Sequence, residues 1–255
     1  MTRRRQKQRR PKDKQDNLIK QTPKPTFRKQ KVEARTKNQR TFIKSIKANK
    51  LTVCLGPAGT GKTYLPTALA MIALRSGDVK RIIITRPVVE AGERLGFLPG
   101  DMQAKLDPYF RSIYDEMLQF VDQATLDAWF LDKTIEICPF AFMRGRNLHG
   151  SFIIADEAQN ATRKQLIMLV TRFGKSSKMI ISGDHTQVDL RPESQSGLAW
   201  LADEIVPRMC DDYGSDADIV TMDNADIVRE GLVEDFINAV EEYDEDRASE
   251  DTSFK

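Results

Sequence analysis

Gly56-Pro57-Ala58-Gly59-Thr60-Gly61-Lys62-Thr63 constrains this chain more than any other stretch, because it follows the apolar run Leu51-Thr52-Val53-Cys54-Leu55 and opens a helix-like segment. A short buried strand leading into a glycine-rich turn lets successive backbone N–H groups close around a polyphosphate. The helix that follows points the positive end of its dipole at the same charge. Lys62 is then placed to reach β- and γ-phosphates, and the Thr63 hydroxyl to ligate Mg²⁺. The expected ligands are therefore a nucleoside triphosphate and Mg²⁺.

The rest of the chain alternates between two periodicities. Leu51 to Leu55, Arg81 to Thr85, Thr134 to Cys138, Phe152 to Ala155, Lys178 to Ser182 and Asp218 to Met222 are short apolar runs bounded by turn or charged residues, which predicts buried strands. Helical spacing appears in Thr63 to Leu74, in Met102, Leu106, Phe110, Ile113, Met117 and Leu118, in Thr162 to Phe173 with Thr162 as its cap, and in Ile227 to Val240. Strands alternating with helices predict an α/β fold, a largely parallel sheet with helices on both faces. Trp129 and Trp200 are read as core or helix-packing residues.

Two further strand ends carry chemistry. Phe152-Ile153-Ile154-Ala155 runs into Asp156-Glu157-Ala158-Gln159-Asn160, so Asp156 is assigned to the metal side and Glu157 to the base that activates water. Lys178-Met179-Ile180-Ile181-Ser182 runs into Gly183-Asp184-His185-Thr186-Gln187. In a parallel sheet that end shares an edge with the phosphate loop, so Gln187 is a candidate to sense the γ-phosphate or orient water. The alternative is a solvent-facing turn in which Asp184 caps backbone amides.

Net charge hides a marked asymmetry. Residues 1–50 carry 19 Lys/Arg against 3 Asp/Glu, residues 51–200 carry 17 against 16, and residues 201–255 carry 4 against 18. Met1 to Pro25 has too few apolar residues to offset the entropy of ordering, and the basic arm as a whole is taken to span residues 1–35. It suits a polyanion such as nucleic acid; the alternatives are a solvated tail or one that folds back on the acidic residues near Glu241 to Asp246. Residues 241–255 form an acidic tail. Three scattered cysteines, no apolar stretch of membrane-spanning length and no signal-peptide core argue for a reducing cytoplasm without membrane attachment.

Taken together, the loop from Gly56 to Thr63 with Tyr64-Leu65-Pro66, Ile84-Thr85-Arg86-Pro87-Val88 running into Gly92-Glu93-Arg94-Leu95-Gly96-Phe97-Leu98-Pro99-Gly100, Phe142-Met143-Arg144-Gly145-Arg146, Asp156 to Asn160 and Gly183-Asp184-x-x-Gln187 resemble the PhoH family of phosphate-starvation-inducible ATPases. The resemblance covers roughly residues 36–240. It implies a single RecA-like P-loop NTPase motor domain, similar to the first motor domain of superfamily 1 helicases, with ATP hydrolysis and RNA metabolism as its business. Compact members of this kind resemble those carried by bacteriophages, whose setting is the host cytoplasm. It also implies that Gln39 resembles the glutamine that reads adenine.

In that comparison, superfamily 1 helicases complete their site with arginines from a second motor domain, whereas only about 65 residues follow Gln187 here. The missing charge is expected from a neighbouring subunit in a head-to-tail, hexameric ring or from the chain's own C-terminal helix, with Arg229 as candidate. Phe97 is a candidate for stacking on a base, and Arg86, Arg144 and Arg146 for contact with nucleic acid or a neighbouring subunit. Three classes stay open: a motor on RNA or single-stranded DNA, a nucleotide-gated binding module, and a small-molecule kinase, the last disfavoured by Asp156-Glu157 and Gln187.

Overall fold

Side-chain alternation within the apolar runs sets the architecture. Along β2 (Arg81–Thr85), Ile82 and Ile84 face one way and Ile83 the other; in β4 (Ser151–Ala155), Ile154 opposes Ile153, and in β5 (Lys178–Gly183), Ile180 opposes Met179 and Ile181. All of these are buried, so both faces of the sheet need covering. The computed structural model describes residues 25–87 and 111–228, with positions 231, 236, 239, 240 and 243 beyond them. With β1 (Leu51–Leu55), β3 (Ile135–Ile137) and β6 (Ala217–Thr221), the sheet runs β3-β2-β4-β5-β1-β6, and every pairing is parallel. All six predicted strands are present, each end within a residue of expectation.

One face is covered by α1 (Lys37–Ala48), α2 (Tyr64–Ser76), the helical residues 111–117 and α3 (Gln123–Leu131). Phe42, Ile46, Leu65, Met71, Ile113 and Met117 pack there on Ile82, Ile84, Ile154 and Ile180. The other face carries α4 (Arg163–Val170) and a helical stretch built from Leu198–Trp200, a π-turn at Leu201–Ile205 and α5 (Val206–Tyr213), with Leu166, Leu169, Leu198 and Val206 inward. The two predicted helices that fall wholly within the described residues are found. For α4 the Thr162 cap is part of a full capping box with Gln165. The predicted helix from Met102 to Leu118 is described only from residue 111, and that over Ile227 to Val240 lies largely outside the described residues.

The helical elements not predicted are α1, α3 and Leu198–Tyr213. Residues 26–35, assigned on composition to the basic arm, form a strap on the body. Phe27 pairs with Val121 and packs on Trp129 at 5.6 Å between ring centroids, Arg75 lies over the Phe27 ring, and Arg28 N–H donates to Phe120 O at 2.8 Å. Residues 26–35 thus pack on the body through an aromatic anchor, despite their basic composition. Trp129 is buried in the core, and Trp200 packs at the edge of the second cluster under the Arg163 guanidinium. Among the described residues, no helix is long and apolar enough to cross a membrane.

Candidate nucleotide site

Parallel register brings distant residues to one edge. Leu55 is level with Gly183 and Thr221, Thr85 with Ala155, and Ala155 with Ile181. The residues that follow (Gly56, Arg86, Asp156 and Asp184) therefore converge at the carboxyl ends of the strands, where open α/β sheets bind ligands. Gly59 and Gly61 take φ of 84° and 86°, the left-handed conformation that an L side chain resists, which curls the loop ahead of α2. A cavity of about 1050 Å³ opens over this edge, lined by Ala58, Gly59, Gly61, Lys62 and Thr63, and by Arg86, Glu116 and Glu157 opposite. Its size suits a nucleoside triphosphate. Lys62 Nζ donates to Pro57 O at 3.1 Å within the loop.

Asp156 is fully buried and heavily engaged. Ser182 Oγ donates to its Oδ1 at 2.9 Å, Thr63 Oγ1 lies 3.3 and 3.2 Å from its two oxygens, and Arg86 reaches Oδ2 with Nε at 3.2 Å and Nη2 at 2.7 Å. A hydroxyl and a carboxylate this close are the hard oxygen donors that Mg²⁺ takes while keeping most of its waters, so Thr63 and Asp156 fit that ion. Arg86, a nucleic-acid or intersubunit candidate on sequence grounds, lines this cavity, where the register of β2 against β4 puts it beside Asp156.

Glu116 is a residue that sequence reasoning missed. It projects from the helical residues 111–117 into the same cavity, and its Oε2 is buried without a hydrogen-bond partner among the described residues. Burial, then the charge of Asp156, push its carboxyl up to about 7, against the opposing pull of Thr67 and Arg86. A lone acidic residue in a helical repeat carries no signal in one dimension.

Glu157 sits at φ 55°, a left-handed conformation unusual for a non-glycine residue. Its Oε2 accepts from Gln159 Nε2 at 2.7 Å, and the same amide's Oε1 accepts from Asp184 N–H at 3.1 Å. Gln159 is buried and thus bolts the two strand ends together. A Cβ on Gly183 would come within 2.6 Å of Gln159 Oε1 and Leu198 Cδ2, so only glycine permits this approach. Asn160 and Asp189 add a reciprocal pair at 2.9 and 2.7 Å. Gln187 follows on this edge, but its side chain is exposed and it is absent from the cavity lining. Asp184 Oδ1 accepts from Thr186 N–H and its hydroxyl at 2.9 and 2.6 Å, the capping arrangement set out as the alternative.

The far wall of the cavity is the strap, through Gln30, Lys31, Glu33, Ala34 and Arg35. Gln39 lies between strap and phosphate loop. Its Oε1 accepts from Arg35 N–H at 2.8 Å and its Nε2 donates to Thr60 O at 3.0 Å, so both ends of the amide face protein groups. Asp226, also buried, accepts from the Thr36 hydroxyl and from Asn38 Nδ2 at 2.8 Å, and Val228 N–H donates to Gly59 O at 3.1 Å. The C-terminal segment is thereby tied to the phosphate loop. Arg229 and Phe97 lie outside the described residues. Arg146 is held by Glu136 through two bonds of 2.8 and 2.6 Å, while Arg144 beside it is exposed.

A parallel sheet with helices on both faces, a glycine-rich loop between β1 and α2, and an acidic strand end facing that loop define an α/β protein of the P-loop class. The family model described as "PhoH-like protein" matches residues 31–241, and the chain belongs to that family. It is 44% identical to the PhoH-like protein of Synechocystis sp. over 216 residues, covering 85% of this chain and 64% of the relative. Against the PhoH-like protein of Bacillus subtilis it is 44% identical over 208 residues, 82% and 63% of the two chains. The chain thus spans under two thirds of these relatives' length. The solved UvsW helicase of bacteriophage T4 is similar over 83% of this chain and 67% of its own at 12% identity, with a TM-score of 0.45, too slight a likeness to bear on function.

Proposed function

We propose that this chain binds ATP with Mg²⁺ and hydrolyses it, and that turnover is stimulated by, or acts on, RNA or single-stranded nucleic acid. The observation that carries the reading is the apposition of the buried Asp156, at 3.2 Å, to Thr63, which lines the cavity together with Lys62 and Glu157. The bound cation would offset charge on the phosphate tail. Thr63 and Asp156 would hold that cation, Lys62 would exchange Pro57 O for phosphate oxygens, and Glu157, aimed by Gln159, would accept the proton of the attacking water. Gln187 enters only if nucleic acid draws its loop inward. Gln39 reads adenine by releasing one of its two protein partners.

Arg229 is our candidate for the charge that completes the site. The bond from Val228 N–H to Gly59 O supports supply from the same chain, and a head-to-tail ring, hexameric in our reading, is the alternative source. The setting we propose is a reducing cytoplasm. A second reading, a nucleotide-gated binding module with little turnover, is favoured by the Arg86 contact that occupies Asp156.

Phosphate release with and without single-stranded RNA tests both. Lys62→Ala and Glu157→Gln are expected to reduce turnover by about 10²- to 10⁴-fold, and RNA to raise it in wild type. A wild-type rate below roughly one turnover per hour, stimulated or not, selects the binding module. Mixing Arg229→Ala with Glu157→Gln separates the two arginine sources: recovered activity requires sharing across subunits, and none is expected if the arginine acts within its own chain.

A further inference from the structure

Donors crowd the buried Asp156, while a second carboxylate, Glu116, which lines the cavity together with Thr63 and Arg86, has an oxygen with none among the described residues. Asp156 receives Ser182, Thr63 and two nitrogens of Arg86, and Thr63 and both Arg86 nitrogens converge on Oδ2, three contacts on an oxygen with two lone pairs. To hold the waters of a divalent cation, it must shed a donor. Ser182 is fixed by β5, and Thr63 is the partner oxygen on the cation side. Arg86 stands where β2 gives way to loop, and it carries the positive charge that a cation at Asp156 would repel. Glu116 faces this cavity from the helix opposite, within electrostatic reach of Arg86, and its buried Oε2 lacks a hydrogen-bond donor among the described residues.

We propose that Glu116 is the receiving site for Arg86 in the nucleotide-loaded state: the guanidinium moves from Asp156 Oδ2 to Glu116 Oε2 when Asp156 takes up its metal role. Glu116 is thus a positioning residue. It lowers the cost of loading by giving the displaced cation a buried partner, and it keeps Arg86 beside the phosphates. The inference rests on the Mg²⁺-nucleotide reading of the site.

The test is equilibrium binding of a fluorescent ATP analogue to the full chain, in Mg²⁺ and in EDTA, for wild type, Glu116→Gln, Arg86→Gln and the double variant. Removing one partner of a charged hydrogen bond predicts that Glu116→Gln weakens binding in Mg²⁺ by about 10- to 100-fold. Binding in EDTA should change by no more than about twofold, the double variant should bind no more weakly than Arg86→Gln, and ligand-free Glu116→Gln should melt no lower than wild type. Equal loss in Mg²⁺ and EDTA, additive losses, or a lowered melting temperature overturns the proposal. Wild type that binds in neither condition sinks the nucleotide reading along with it, whereas wild type that binds while Glu116→Gln behaves identically sinks this inference alone.

Discussion

Glu116 ties the stability of the folded protein to pH. Its carboxyl is raised from 4.5 to about 7, first by burial and then by Asp156. The unfolded chain thus releases this proton more readily than the folded one. The stabilisation is complete below pH 4.5 and is lost as pH rises through 7. We expect Glu116→Gln to be more stable than wild type by roughly 2 kcal/mol at pH 8, with the difference vanishing near pH 4.5. Urea melts of ligand-free protein across that range check it, and a gap independent of pH would contradict it. That Lys62, Thr63, Asp156 and Glu157 meet at one edge of the sheet was legible before folding, because each follows the end of a recognisable strand in a parallel pattern. The placement of Arg86 on Asp156 was not legible, since the two are 70 positions apart and meet only through the pairing of β2 with β4.

Strands and capped helices were readable where one face is uniformly apolar. In α4 the capping box between Thr162 and Gln165 marks its start in the sequence. Helix α1 escaped notice because its inward stripe, Gln39, Phe42, Ser45 and Ile46, is half polar, and those polar side chains find partners in Thr60, Arg35, Thr52 and Asn49. Asp226 holds this helix start to the C-terminal segment. Burial raises its carboxyl, but bonds from Thr36, the Asp223 N–H and Asn38 outweigh that and leave it below the usual range. Its stabilisation is present above the unfolded pKa and lost as pH falls through the folded one. Asp226→Asn should cost about 1–3 kcal/mol at pH 7, with the penalty shrinking below pH 3.8. It should also weaken nucleotide binding, because the strap and Val228 border the same cavity. Chemical denaturation and the binding assay measure both.

Charge is divided between the two ends of the chain, and nucleotide chemistry sits between them. If the basic arm engages about six phosphates of a single strand, log K falls against log salt with a slope near −4. Deleting residues 1–24 should flatten that slope and leave the ligand-free melting temperature within about 1 °C, because the anchored strap begins at Thr26 with its N–H on Thr125 Oγ1. An unchanged slope would rule out phosphate contacts by the arm, leaving it solvated or folded back on the acidic tail. Read alone, the chain determined its fold class, all six strands, the phosphate loop and the acidic pair, since period-two burial and polyphosphate geometry leave a local imprint on residue order. Only the tertiary structure decided that Arg86 and Glu116 share the cavity, that residues 30–35 wall it, that Arg146 pairs with Glu136 and that Gln187 faces solvent. Those outcomes depend on sheet register and on which buried charges find partners, and neither leaves a mark at any fixed spacing along the chain.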